Sequence, residues 1–558
     1  MSLQVSYKPS QKVDFVIVGS GAAGGVLAKE LSTAGFQVVV LEQGRFLSAG
    51  DFGHDEIATS QEHALTNDPA RRPQTFRKTA DDKGIKQLSA IYGCCVGGGT
   101  VHFTANYWRF HEIDFVERTR RGPIAGTGFA DWPITYADLE PYYTKVEWEV
   151  GVSGLAGASP FDPPRSKPYP LPPMPVKSSG VIFERAAWKL GWHPFPSPMA
   201  ILSQPYRGRA ACIHCGRCLG FGCEVGAKSS SLVSMIPLAQ QTGHCEIRTE
   251  SYAFRVETNR QGHATGVAYF DSQGKQHFQR AHAVILSANG AETPRLLLLS
   301  SSGRFPHGLA NSSGLVGKYL MINCFSTVLA TFAEPLNDYK SAAVSRVLHD
   351  FYEIDPKLGF YGGGGLDARF GRTPIGFAMG PTPSPGTAPT LSDLPRWGKA
   401  YKDWLAQSFS HSMYVASHAA SLAVETNSFS LDPDLKDAWG LPALRMTYRD
   451  HPDDLKSVKY LQDRALELAA AAQATKVWAP PIHEQTHAVH LLGTCRMGSD
   501  PKSSVIKADH RTHDVPNLFL CDGSSFVTSG RGQPTMTIQA LAFRAADRIG
   551  AAARRGEV

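Results

Sequence analysis

The sequence predicts an α/β protein, α+β overall, in which a Rossmann-like dinucleotide-binding domain is joined to a second, mainly antiparallel-sheet domain. Three observations carry this. An apolar strand near the N-terminus runs into a glycine turn and a helix. The 558 residues are too many for one compact core and suit two large domains. Residues 310–475 carry alternating apolar stretches and a glycine run at 362–365, the pattern of an antiparallel sheet with helices.

Val13, Phe15, Val16, Ile17 and Val18 form a short apolar run of the kind found in parallel sheets. Gly19, Gly21 and Gly24 follow with G-x-G-x-x-G spacing. The first glycine permits a tight turn, the second lets the backbone approach a pyrophosphate, and the third lets the helix pack closely on the strand. The pyrophosphate would sit on the free N–H groups at the helix N-terminus. The helical stretch stops near Gly35, and a second strand over 37–41 ends at Glu42, where an acid reads ribose hydroxyls. The motif alone does not separate FAD from NAD.

Hydrophobic content of 42% and charged content of 19% are ordinary for a globular protein, and the net charge of +6 is small for this length. With no long basic run and no RNA-binding or zinc-finger pattern, nucleic acid is excluded as a partner. No segment approaches the ~18 apolar residues that span a bilayer. Residues 1–8 lack an apolar signal core and a twin-arginine pair. The expectation is a periplasmic location if a partner subunit carries the chain, and a cytoplasmic one if it acts alone. Ten cysteines are too few for a disulfide scaffold. Cys94, Cys95, Cys245, Cys324, Cys495 and Cys521 read as core thiols, whereas Cys212, Cys215, Cys218 and Cys223 crowd one segment.

Along the chain, residues 45–85 read as surface loops and short helices. A triple glycine, Gly97, Gly98 and Gly99, sits between apolar residues and suggests close backbone approach to a ligand. Residues 153–178, rich in Pro, Gly and Ser, read as an irregular connection. A β-rich stretch over 245–278 contains Ala253 and leads to a strand ending near Gly290. A helix follows with Pro294 in its first turn. Further helices are predicted over 453–472 and 537–552.

Three separated blocks now align: the Gly19/Gly21/Gly24 unit; Val96 to His102; and His490 to Gly498, continued by residues 517–524 and 534–538. Together they resemble the glucose–methanol–choline oxidoreductases, which bind FAD and oxidise alcohols. The chain looks most like the FAD-containing catalytic subunits of bacterial glucose, gluconate and fructose dehydrogenases. The resemblance implies a discontinuous FAD-binding domain (1–135, 196–305 and 479–558), a connection over 136–195 that begins the substrate domain, and a substrate sheet within 306–478. It implies that Asp522 and Gly523 lie near the flavin and adds Ala253 to the cofactor side. It implies a sugar, sugar-acid or polyol substrate, a small partner subunit, and a cytochrome or quinone acceptor.

Oxidising an alcohol by hydride transfer needs a base for the hydroxyl proton, and histidine suits this because its pKa lies near neutral. His490 matches the family's catalytic histidine. The family's second active-site residue is usually His or Asn just before the Pro-Thr segment; here Gln533 stands there, an amide able to donate and accept and to orient a substrate oxygen. His102 matches a position where some members attach flavin covalently and others do not. The four clustered cysteines read C-x2-C-x2-C-x4-C, a spacing that suits an Fe–S cluster or zinc and also fits free thiols or disulfides. The dehydrogenases it resembles carry a three-iron cluster on three cysteines, so a 3Fe-4S cluster is expected, with electrons passing from flavin to cluster to the acceptor. An oxidase using O₂ and a non-catalytic electron-transfer subunit are the alternatives. His483 to His487 spells H-E-x-x-H, but Pro480 and Pro481 precede it, which argues against the helix a zinc hydrolase needs.

Overall fold

The computed structural model describes residues 5–370, 373–378 and 397–558. The strands are β1 (Val13–Val18), β2 (Val38–Leu41), β3 (Gln74–Arg77), β4 (Ile85–Lys86), β5 (Phe195–Pro196), β6 (Cys245–Arg248), β7 (Tyr252–Thr258), β8 (Ala264–Phe270), β9 (Gln276–Leu286), β10 (Cys324–Thr331), β11 (Val344–Leu348), β12 (Gly364–Arg369), β13 (Ser412–Ala419), β14 (Ser428–Lys436), β15 (Pro442–Thr447), β16 (Lys476–Trp478) and β17 (Leu518–Leu520).

The first sheet runs β6-β2-β1-β9-β8-β7, with β17 also paired to β9. β1 is parallel to both neighbours, Val16 lying opposite Val39 and Val284, and β17 joins in parallel with Leu518 opposite Val284. β9 serves three partners. Its first half pairs antiparallel with β8, and its second half pairs parallel with β1 and with β17. Val16, Val40 and Val284 have no solvent exposure, which is why these strands read as unbroken apolar runs. The helix Ala22–Thr33 and the closing helix Thr535–Arg554 pack together over this core. The carboxyl ends of β1, β2, β9 and β17 meet on one edge. They lead into Gly19, Glu42, Ser287 and Cys521, at the edge where parallel sheets hold ligands.

The second sheet runs β16-β10-β13-β12-β11-β5 with antiparallel neighbours. Its side chains alternate with a period of two. Val328, Ala330, Leu366, Ala368, Met413 and Val415 pack against the helices Ser178–Lys189 and Pro452–Ala471. The alternate positions Phe325, Thr327, Arg369, Ala416 and His418 face a cavity. A third sheet runs β14-β15-β3-β4.

Three features differ from the sequence expectation. Residues 45–85 are not all surface loop: β3 is buried at Gln74, Thr75 and Phe76 and pairs in parallel with β15, Phe76 opposite Met446. A four-residue strand carries too little periodicity to be seen, and its partner lies far along the chain. The helix carrying Pro294 begins at Asn289, so the proline is its sixth residue rather than in the first turn. A proline offers no N–H to the Gly290 carbonyl one turn back; Thr494 Oγ1 donates to that oxygen instead, at 2.6 Å. Third, the helix Tyr136–Val150 packs Leu139, Tyr143, Val146 and Val150 into the first sheet's core, a 4-3-4 stripe, rather than opening the substrate region.

Gly24 gives the test of this packing. A Cβ there would lie 1.9 Å from the Gly19 carbonyl oxygen. Gly24→Ala should cost about 1–3 kcal/mol by overpacking, read as a lower denaturation midpoint. An unchanged midpoint would show slack between helix and strand.

Candidate active site

A cavity of about 510 Å³ lies between the carboxyl edge of the first sheet and the inner face of the second. The predicted glycines have distinct places around it. Gly19, at φ +93°, leaves room for the Ser287 carbonyl, which an added Cβ would meet at 2.5 Å. Gly21 faces the cavity, where the nearest atom to an added Cβ is Gly98 Cα at 3.9 Å, so a side chain would fill the cradle itself. Gly98, at φ +55°, lies opposite. Gly24 and Gly97 do not line the cavity. Gly24 seats the helix, and Gly97 packs against Leu232 and donates its N–H to Ser20 Oγ at 3.1 Å. The helix after Gly21 has no side-chain cap and no acid in its first turn, which leaves N–H groups for an anion.

Glu42 Oε2 accepts from the Ser20 N–H at 3.0 Å and hydroxyl at 2.6 Å, and Oε1 accepts from the Gly44 N–H at 2.9 Å. Lone pairs remain for ribose hydroxyls. Ala253 lines the same cavity, near Ser251, whose N–H donates to the Glu42 carbonyl at 2.8 Å. Asp522 accepts from the Asn289 N–H at 3.0 Å, the Thr293 hydroxyl at 2.6 Å and the Ser524 N–H at 2.8 Å. Its carboxylate ties β17 to the helix Asn289–Leu299 and holds Gly523 beside the cavity. Cβ atoms on Gly523 and Gly290 would meet the Leu491 carbonyl at 2.5 and 2.0 Å, so both glycines seat the segment after His490. His102 lines the cavity with its Nε2 buried and lacking a hydrogen-bond partner among the described residues. Burial, with Lys228 nearby, pushes its pKa down to about 4. An anion-ready helix start, a cradle that a Cβ would fill and an orphaned imidazole nitrogen together fit FAD.

His490 is half-buried and lines this cavity. Its Nδ1 lies 3.0 Å from Asn323 Oδ1. The Asn323 amide is oriented by its Nδ2, which donates to the Gly530 carbonyl at 3.1 Å and the Ala419 carbonyl at 3.3 Å. Oδ1 is therefore the acceptor, the imidazole proton sits on Nδ1, and Nε2 keeps its lone pair. Burial, then the nearby His418, pushes the His490 pKa down to about 3. The result is a neutral imidazole that can take a proton. Gln533 also lines the cavity, its Nε2 3.1 Å from His418 Nδ1. His418 Nε2 is 2.6 Å from Asp367 Oδ2, and Arg369 Nε donates to Asp367 Oδ1 at 2.6 Å.

Comparison with known proteins now decides the family. Sequence models of the GMC oxidoreductases match residues 13–324 and 423–542. The chain is a GMC oxidoreductase. It is 36% identical over 548 residues to the 2-methyl-1,2-propanediol dehydrogenase of Mycolicibacterium austroafricanum, covering 97% of this chain and 95% of the relative. It is 30% identical over 554 residues to the fructose dehydrogenase large subunit of Gluconobacter japonicus, covering 96% and 97%. The formate oxidase of Aspergillus oryzae RIB40 superposes with a TM-score of 0.62 at 16% identity, covering 98% and 100%, which speaks for the fold. The molecule is thus an FAD-dependent oxidoreductase acting on alcohols.

In this GMC enzyme the cysteine segment forms part of the cofactor wall. Leu219 and Gly220 line the cavity, and the Gly220 N–H donates to the His102 carbonyl at 2.8 Å. Cys212, Cys215, Cys218 and Cys223 are free thiols, Cys215 exposed and Cys218 buried. No three of them come close enough to share one ion; the close group in this segment is His54, Cys215 and Glu224. That spread disfavours a zinc ion on the four thiolates, whose sulfurs would all surround one centre. Lys228 is 2% exposed, and its Nζ donates to the carbonyls of Cys218 at 2.6 Å and Phe221 at 2.7 Å. Burial lowers its pKa to about 8, against the opposing pull of Cys218, Cys223 and Cys215. Among the described residues no carboxylate forms an ion pair with it. The H-E-x-x-H stretch is not helical, so it does not present two histidines on one face.

The sequence reading missed Asn323, Asp367 and His418. All three are buried polar residues at or within apolar strands. Such residues are seldom buried without a partner, and that was the available signal.

Two outcomes test the base. His490 is unprotonated well below neutrality, so the rate of flavin reduction should stay level from about pH 8 to about pH 5. It should fall only as the pH nears the shifted pKa of about 3. A decline centred on an ordinary histidine pKa would contradict the burial effect. Asn323→Leu should retain FAD but slow reduction by about 10-fold or more, because the imidazole loses its orienting acceptor.

Proposed function

We propose that the enzyme is a dehydrogenase of a sugar, sugar acid or polyol, and that it passes electrons through an Fe–S cluster, 3Fe-4S in type, to a cytochrome or quinone. A small partner subunit would carry it to the periplasm; acting alone, it would work in the cytoplasm. The observation that carries the catalytic reading is the neutral His490 imidazole, fixed by Asn323 and facing the same cavity as the glycine cradle. The relatives named as a diol dehydrogenase and as a fructose dehydrogenase large subunit support the substrate class and the subunit partner.

Bound FAD supplies the hydride acceptor. His490 Nε2 takes the hydroxyl proton as the substrate C–H bond breaks, a contribution of about 10²–10⁴ in rate. Asn323 Oδ1 then stabilises the imidazolium through the Nδ1 proton. Gln533 would hold the substrate from the opposite side, and His102 would lie at the flavin. Gly21, Gly98 and the helix start would hold the pyrophosphate, with Glu42 at a ribose.

Cys212, Cys215, Cys218 and Cys223 are the thiols that would hold the cluster, three of them sufficing. The buried Lys228 ammonium supports this. Its Nζ holds the loop through the carbonyls of Cys218, Phe221 and Phe103, and thiolates around an inorganic core would add a favourable charge beside it. The contact of Gly220 with His102 places this loop next to the cofactor cavity.

Cys218→Ser is the decisive variant. The wild-type protein should contain iron and acid-labile sulfide, and the variant should lose both. Flavin reduction by substrate should survive, while transfer to a cytochrome should collapse. An iron-free wild-type protein would defeat the relay, and peroxide formed in air as fast as substrate is oxidised would make the enzyme an oxidase.

A further inference from the structure

The wall facing His490 contains a hydrogen-bond chain that determines which way one amide points. We propose that Gln533 turns its carbonyl oxygen, not its N–H groups, toward the substrate, and so selects an uncharged vicinal diol. One hydroxyl of the diol reacts at His490 and the neighbouring hydroxyl donates to Gln533 Oε1. The proposal rests on the reading of His490 as the base.

The chain starts at Arg369. Its Nε donates to Asp367 Oδ1 at 2.6 Å and its Nη2 donates to Oδ2. Asp367 has no solvent exposure, and the guanidinium and His418 hold its pKa, against burial, at about 2. It is therefore a carboxylate. His418 Nε2 lies 2.6 Å from Asp367 Oδ2, a distance that two lone pairs do not tolerate. The imidazole proton is thus on Nε2. The Arg369 Nη2 2.8 Å away is a second donor to the same carboxylate. His418 is fully buried, which lowers its pKa, so Nδ1 is a lone pair. Gln533, 3.1 Å from that nitrogen, must meet it with an N–H.

The amide is planar, so its oxygen then points away from His418. Oε1 has no protein partner among the described residues, and Gln533 lines the cavity. His490 also presents a lone pair. Two acceptors therefore face the substrate, and a ligand satisfies both by bringing two donors. The Phe325 ring lies 5.3 Å from the rings of both His490 and His418, and His418 holds Gln533, so His490 and the His418–Gln533 pair border the same side chain. A vicinal diol brings its two donors on neighbouring carbons. Arg369 is the lysine or arginine on the cavity wall among the described residues, and its charge is taken up by Asp367. No uncompensated cation remains there for a substrate carboxylate, which favours an uncharged polyol over a sugar acid. A site built around hydrogen bonds discriminates against analogues that leave its buried groups unpaired.

The test is anaerobic bleaching of the flavin in the holoenzyme by 1,2-propanediol, 1-propanol and 2-methoxy-1-propanol, with glycerol set against glycerate. The diol should exceed 1-propanol in specificity by about 10- to 100-fold, the methyl ether should gain nothing from its extra oxygen, and glycerol should exceed glycerate. Gln533→Met, loaded with FAD, should bring the diol-to-propanol ratio near unity. His418 is a positioning residue: His418→Ala should free the amide to turn and lower the diol-to-ether ratio, whereas a merely structural role would slow all the alcohols together. A wild-type enzyme that takes the ether as well as the diol, a Gln533→Met variant with the wild-type ratio, or glycerate preferred over glycerol would overturn the proposal. A flavin that no alcohol reduces, hexoses and hexitols included, would overturn the dehydrogenase reading itself.

Discussion

The structure depends on backbone segments that approach more closely than any side chain allows. At the carboxyl edge of the first sheet, Gly24 touches the Gly19 carbonyl, Gly19 touches Ser287, and Gly290 and Gly523 both close on Leu491. Each contact is a place where an added Cβ would overlap a backbone atom. Together they draw β1, β9, β17 and the segment holding His490 around one cavity. The cost is conformational: Gly19, Gly97 and Gly98 all have positive φ, which glycine adopts without strain.

Around that edge, polar groups are buried in matched sets. Asp522 spends its carboxylate on Asn289, Thr293 and Ser524. The loop that carries Gln533 is held by Arg531, which is fully buried and paired to Asp114 at 2.5 Å and to Glu117. Tyr352 and Tyr361 donate to those acids in turn. Burial raises the Glu117 pKa despite Arg531, and the neighbouring Asp114 carboxylate adds to the rise. Breaking such a set strands a charge in a low-dielectric interior. The loop geometry, and with it the placing of Gln533, follows from this pairing.

The second sheet divides its labour by the period of two. One face is ordinary core against two helices, and the other carries the Asp367, Arg369 and His418 chain toward the cavity. A shift of one residue in β13 would bury His418 among Phe183 and Leu461 and turn Val415 toward the cavity. The register that builds the core therefore also builds the substrate wall, and stability and specificity are coupled through the same strands.

By itself the sequence determined the nucleotide-binding unit. The apolar run of β1, the Gly19, Gly21 and Gly24 spacing and Glu42 are close in the chain, and local sterics decide what they form. It also determined the family, because the blocks at 96–102 and 490–498 retain their patterns. It placed the helix Pro452–Ala471 within a residue, because that helix is long and amphipathic. Only the tertiary structure decided which groups meet. β3 is a strand because β15 lies beside it. Asn323 reaches His490, and Asp367 reaches His418, from strands with no motif of their own. Lys228 reaches into the cysteine loop, and among the described residues no carboxylate pairs with it. The side on which an imidazole carries its proton is set by the atom across from it, and that atom is supplied by folding.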